Sequence, residues 1–189
     1  MVSIKENKEK FLSVFKAYVQ REGIDNVIAM LEKTDFFTAP ASTQYHDSVE
    51  GGLCYHSLRV YEELTDMTLL TGIPMESVAI VGLLHDVCKI GFYTVSSRNV
   101  KDASGRWNSV PYYTVDDKLP LGHGDKSVIM LLQLMKLTTD EIMAIRWHMG
   151  GFVAKEDYQT LSKAYGECPL ALYTHLADMK ATYLKKEDS

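Results

Sequence analysis

An adjacent histidine and aspartate, His85 and Asp86, close the apolar run Val78-Ala79-Ile80-Val81-Gly82-Leu83-Leu84. An ionised carboxylate among such neighbours is costly unless a cation or strong donors compensate it. A metal ion suits the pair. The imidazole offers a nitrogen and the carboxylate an oxygen, and adjacent helical residues diverge by about 100°, so both reach one ion or Asp86 bridges two. Taken alone, the dipeptide also fits a solvated helix cap. Other residues change that reading: His56, His123 and His148 fall on or beside segments of helical apolar spacing, and Asp178 sits in a last helix reading His175-Leu176-Ala177-Asp178-Met179-Lys180-Ala181. With six histidines in the chain, few are left over.

The elements that must position these side chains follow from length and periodicity. A chain of 189 residues at 46% hydrophobic supports one domain with a real core. The net charge of -5, without a run of like charges, argues against a coat for nucleic acid and leaves a local basic patch open. Three cysteines, Cys54, Cys88 and Cys168, lack the paired spacing of a zinc ribbon or a disulfide framework, which fits a reducing cytoplasm. No apolar run approaches the roughly 20 residues that span a bilayer.

Residues 1–34 read as N-terminal packing helices: Phe11, Leu12, Phe15, Tyr18 and Val19 recur at helical spacing, and Ile24 to Leu31 repeat the pattern. An irregular stretch, 34–52, then delivers the chain to a helix from Leu53 to Leu70, with His56 near its start. Pro74 and Glu76 open the next helix, expected from Met75 to Lys89 and ending in the His-Asp pair. Residues 92–117 break the helical period with β-branched and aromatic residues on either side of Asp102-Ala103-Ser104-Gly105, the composition of a β-hairpin. Inserted between the second and third candidate ligand segments, it is expected to hang over the site as a flap, with Arg98, Asn99, Lys101 and Trp107 meeting phosphate oxygens and a base or sugar. A solvated hairpin is the alternative. A helix from Ser127 to Met135 follows His123, another begins at Thr138 or Thr139 and ends at His148, and a polar stretch from Lys155 to Glu167 leads to a last helix from Pro169 through Tyr183. On that last helix Leu170, Leu172, Leu176 and Tyr183 are expected on the buried face.

The ordered set His56, His85-Asp86, His123, His148, Asp178 resembles the HD superfamily of metal-dependent phosphohydrolases. Gly51-Gly52-Leu53-Cys54-Tyr55-His56-Ser57 is similar to that family's Gly-Gly-Leu-x-x-His-Ser segment, and Leu84-His85-Asp86-Val87-Cys88-Lys89 to its Leu-His-Asp-Ile-Gly-Lys segment. Leu119-Pro120-Leu121-Gly122-His123, Ile145-Arg146-Trp147-His148 and His175-Leu176-Ala177-Asp178 resemble the segments around its later ligands. The likeness spans about residues 46 to 184 and is nearest to small bacterial and phage HD proteins and to the HD domain of a bacterial 3′-to-5′ exoribonuclease. Cys88 departs from the pattern, standing where the family usually has glycine.

The resemblance implies an all-α HD-domain bundle carrying the small hairpin, with the whole of 1–189 as a single domain. It implies one ion held by His56, His85, Asp86 and Asp178, and a second held by His123, His148 and a bridging Asp86. Such a histidine-rich set suits Mn, Fe, Zn, Ni or Co better than Ca. A metal lowers the pKa of water toward 7, so that hydroxide attacks phosphorus at neutral pH. The expected substrate is the phosphoester of a nucleotide or short oligonucleotide, with Asp86 and Lys89 as catalytic residues. Lys89 reads as a phosphate contact or as a solvated lysine at a helix end, and His46 as a site-lining or a surface histidine. Two other readings keep the ligands: a mixed-valent diiron oxygenase, and a nucleotide-binding module without turnover.

Overall fold

The computed structural model describes residues 3–43 and 47–184. His46, one of the expected substrate contacts, lies outside the described residues, as does the end of the chain from Lys185. The described residues form eight α-helices and one antiparallel hairpin. None of the described helices is long and apolar enough to cross a membrane.

Helix α1 (Ile4–Tyr18) is capped by Ser3, whose side chain accepts from the Glu6 N–H, and it buries Phe11 and Phe15. Gly23, at φ 97°, turns the chain into α2 (Ile24–Lys33), which buries Val27, Ile28 and Leu31. Phe11 meets Phe36 and Phe37 edge-on at ring-centroid separations of 5.2 and 5.7 Å, sealing these helices to the connector after α2.

Helices α3 (Gly52–Thr68) and α4 (Met75–Leu84) form the centre. From Ser77 to Leu84 every residue of α4 is buried, so the helix shows no polar face and is surrounded on all sides. Gly82 permits this: a Cβ there would lie 2.7 Å from the Tyr61 Cα, so only glycine lets α3 and α4 cross at this distance. The sequence pattern extends α4 to Lys89, but the α-helix stops at Leu84. His85 caps it, Asp86 leaves the helical region at φ -107° and ψ 17°, and Val87–Lys89 tighten into a 3₁₀ turn. Because residues three apart eclipse in such a turn, Lys89 comes to lie over Asp86.

Strands β1 (Tyr93–Lys101) and β2 (Trp107–Val115) pair antiparallel in the register Tyr93↔Val115 to Lys101↔Trp107. The Asp102 carboxylate organises the tip. It accepts from Ser104 Oγ and the backbone N–H groups of Ser104 and Arg106, and these bonds, the Ser104 hydroxyl foremost, lower its pKa to about 2.

Helix α5 (His123–Leu132) starts at His123 itself, four residues before the periodicity suggests, because its first turn is polar and glycine-bearing. Helix α6 (Thr139–Trp147) is capped by Thr138, one of the two expected starts, in a full capping box with Glu141. The polar stretch before Pro169 is itself helical, as α7 (Tyr158–Glu167); it buries only Leu161 and Ala164, too few apolar positions to register as a stripe. In α8 (Pro169–Tyr183) the buried face is Leu170, Ala171, Thr174, Ala177 and Ala181. Leu172, Leu176 and Tyr183, expected inside, are 38%, 40% and 65% exposed. Alanines form the inner face because they let helices approach closely, and a search for large apolar residues passes over them.

Glu141 is fully buried, and its carboxylate takes both arms of Arg21, at 2.7 and 3.0 Å, together with Ser77 Oγ and the Thr138 N–H. Arg21 also reaches Glu76 Oε2 at 2.9 Å. One ionic knot thus joins the α1–α2 turn to the start of α4 and the start of α6.

Candidate metal centre

Six side chains separated by as many as 122 positions meet at one place. Asp86, 2% exposed, is its hub, and its two oxygens face different neighbours. Oδ1 lies 2.7 Å from His123 Nε2 and 3.5 Å from His148 Nε2. Oδ2 lies 3.4 Å from His85 Nε2, 3.7 Å from His56 Nε2 and 2.7 Å from Lys89 Nζ. Asp178 closes the second side, its Oδ1 standing 3.1 Å from His56 Nε2. His56, His85 and Asp178 have ligand atoms within 4.8 Å of one another, and so do His85, Asp86 and His148.

The rings are oriented by the helix ends that carry them. His85 Nδ1–H donates to the Gly82 carbonyl at 3.0 Å and His148 Nδ1–H to the Ile145 carbonyl at 2.7 Å, each three residues back. In both rings Nδ1 is thereby committed to the backbone and Nε2 is turned toward Asp86. Those two Nε2 atoms are buried and have no hydrogen-bond partner. Buried acceptors left unmet cost about 1–3 kcal/mol each, and a cation between them and Asp86 removes that cost. Donor type, ring orientation and buried nitrogens without a hydrogen-bond partner all fit a transition-metal ion.

The charges are arranged to the same end. Burial favours a neutral Asp86, but Lys89 first, then His85 and His123, hold its carboxyl well below the usual range. Burial likewise opposes ionisation of Asp178, and the hydrogen bond and charge of His56 outweigh it. His123 has its charge penalised by burial, yet its bond to Asp86 raises it to about 9. In the metal-free protein, His123 therefore contributes stability that is fully present below its unfolded pKa of about 6.5 and is lost as pH rises through about 9. Urea midpoints of chelated protein between pH 6 and 10 are expected to fall across that window. Metal affinity is expected to rise across it, because an ion competes with the His123 proton.

Close helix approach brings the two halves together. A Cβ on Gly124, one residue after His123, would collide with the Arg146 carbonyl oxygen of α6. Gly124→Ala is expected to push α5 off α6, separating His123 from His148, at about 1–3 kcal/mol of stability and with weaker metal uptake. Urea unfolding and equilibrium dialysis measure the two effects.

Of the residues expected from sequence, His56, His85, Asp86, His123, His148, Asp178 and Lys89 are brought together. Arg98, Asn99, Lys101 and Trp107 are not: all four are exposed on the outer half of the hairpin, with Lys101 Nζ over the Trp107 ring at 5.0 Å. Arg98 lies over Tyr112 and lines a different cavity, next to Thr43 and Ser48. A cavity of about 440 Å³ does open on the centre, with Asp86, Lys89, His123 and Asp178 at its floor, but its outer wall is Met149, Phe152, Met179 and Tyr183. The outer half of the hairpin is solvent-exposed, and no hairpin residue lines that cavity.

Three nearby residues escaped the sequence reading. His175 lines the cavity and donates from Nδ1 to the His148 carbonyl at 2.8 Å; its place one turn before Asp178 was the available signal. Asp47 Oδ2 stands 4.0 Å from His56 Nδ1, held by an unusual φ of 48°, and only its position beside His46 could have drawn attention. Tyr93, whose hydroxyl donates to the Ala41 carbonyl at 3.0 Å, is pushed up to about 12 by burial.

Neither the curated proteins nor the solved structures include a match to this chain. A family profile does match: the HD domain, over residues 53–182, from the start of α3 to the end of α8. That span contains all six converging side chains, and the chain belongs to the HD-domain family, which in general comprises metal-dependent hydrolases.

Proposed function

We propose that this protein hydrolyses a phosphoester of a nucleotide or short oligonucleotide. The observation that carries the reading is Asp86, with one oxygen turned to each of two groups of imidazoles and Lys89 beside it at the floor of an open cavity. His56, His85, Asp86 and Asp178 would hold one ion, and Asp86, His123 and His148 a second. When bound, a divalent transition ion supplies hydroxide from water at neutral pH and charge to steady the phosphoryl oxygens.

The rest is done by the chain itself. Lys89, 8% exposed and facing the cavity, carries a positive charge that burial opposes and Asp86 sustains, so it offers an ammonium to a phosphate oxygen. His175 engages the His148 carbonyl through Nδ1, which leaves Nε2 for a sugar hydroxyl. Phe152 and Tyr183, 68% and 65% exposed on the cavity wall, offer ring faces to a base. At about 440 Å³ the cavity is of mononucleotide scale.

The test is an assay of protein loaded with Mn(II) against bis(p-nitrophenyl) phosphate, nucleoside monophosphates and short RNA. Turnover is expected to disappear on chelation and return on adding metal. Absence of turnover with each of Mn, Fe, Zn, Ni and Co would sink the proposal.

A further inference from the structure

We propose that Cys88 is a metal ligand, its Sγ joining Asp86, His123 and His148 around the ion on the Oδ1 side. The inference rests on the metal reading above and adds to it a donor of different chemistry.

The sulfur of Cys88, a carboxylate oxygen of Asp86 and an imidazole nitrogen of His123 lie within 4.8 Å of one another. Ligands about 2.0–2.3 Å from a common tetrahedral ion sit within about 4 Å of each other, so small side-chain rotations bring all three onto one ion. Cys88 is 1% exposed, so its thiol is shielded from solvent. It is also tied to the element that presents His123: the Cys88 N–H donates to Ser127 Oγ at 3.2 Å, and Ser127 lies on α5, whose first residue is His123. A separate observation points to a ligand beside Asp86 Oδ1. His148 Nε2, on a side chain 1% exposed, has no hydrogen-bond partner and points at Asp86 Oδ1 from 3.5 Å. Cys88 adds a sulfur to the Asp86 oxygen and the His123 imidazole, with His148 Nε2 turned toward the same carboxylate.

On binding, the sulfur–metal bond forms as the thiol proton passes to solvent, and no electrons are transferred. A thiolate favours Zn, Co and Fe over Mg, Ca and Mn, so this side of the centre would discriminate in a way that an all-imidazole and carboxylate set does not. The other cysteines serve as internal controls: Cys54 and Cys168 are buried, and neither belongs to a group of potential ligands among the described residues.

The experiment is an anaerobic Co(II) titration of the full chain, followed by optical absorption. Visible ligand-field bands report occupancy, and a near-ultraviolet sulfur-to-cobalt charge-transfer band reports thiolate coordination. Both are expected in the parent protein. Cys88→Ser and Cys88→Gly are expected to keep the visible bands and lose the charge-transfer band, whereas Cys54→Ser and Cys168→Ser keep both. Preference for Zn(II) over Mn(II) is expected to fall roughly 10–100-fold in the Cys88 variants, at least the loss seen when outer-shell partners are removed. Visible bands without charge transfer in the parent would overturn the assignment of Cys88 and leave the metal centre standing. Failure to take up cobalt at all would overturn both. Should the variants fold poorly, X-ray absorption of the zinc-loaded parent decides: a sulfur scatterer at about 2.3 Å is expected, and a first shell of nitrogen and oxygen alone refutes the proposal.

Discussion

Asp86→Asn is expected to strip the protein of metal and to lower phosphoester turnover by on the order of a thousandfold or more, several kcal/mol of barrier. Asparagine keeps the shape of the side chain and removes the charge on which both sides of the centre depend. Its amide nitrogen would have to face either His123 and His148 or His56 and His85, so one group of imidazoles loses its oxygen altogether. The same change strands the buried ammonium of Lys89, which lies 2.7 Å from Asp86 Oδ2. Breaking a buried pair by removing one partner costs about 3–5 kcal/mol, so the metal-free variant is expected to unfold at lower urea than metal-free parent. Lys89→Met in the Asp86→Asn background is expected to recover much of that stability without restoring metal. Elemental analysis, initial rates and urea titration read the three effects. A variant that kept its metal and a tenth of its rate would show that the hub lies elsewhere.

An equally large effect on folding is expected at Arg21→Ala. Arg21 precedes the segment matched by the HD profile, yet its guanidinium is bidentate on Glu141, fully buried at the start of α6, and also reaches Glu76 at the start of α4. Removing it leaves the Glu141 charge inside the protein with only the Ser77 hydroxyl and a backbone N–H for company. The expected loss is about 3–5 kcal/mol, or roughly a 2 M drop in urea midpoint at the m-values usual for small domains. Because Arg21 touches none of the converging ligands, native Arg21→Ala at low temperature is expected to bind metal as the parent does. A loss under about 1 kcal/mol would place the pair with ordinary surface ion pairs.

The residues that converge at the candidate centre were legible in the sequence because ligation would demand particular residue types in a particular order, and types and order survive without coordinates. Helices with a broad stripe of large apolar residues, such as α1 and α3, were legible for a similar reason. Elements governed by small or polar residues were not. Helix α7 buries too little to show a period, the inner face of α8 is written in alanine, and α5 begins in glycine and charge. The hairpin was legible as a hairpin, from its β-branched strands and the Asp102 turn. Its direction was not, since where a protruding element leans depends on what it packs against, and local sequence carries no record of that. The same limit hid Asp47 and His175, which matter through neighbours distant in the chain.

The two oxygens of Asp86 point to opposite camps, yet they share a single negative charge. An ion settling on one draws electron density from the other, so occupancy on either flank weakens the pull on its counterpart. If two ions bind as proposed, the protein would fill in two stages of unequal affinity, and the singly occupied form would be a species in its own right.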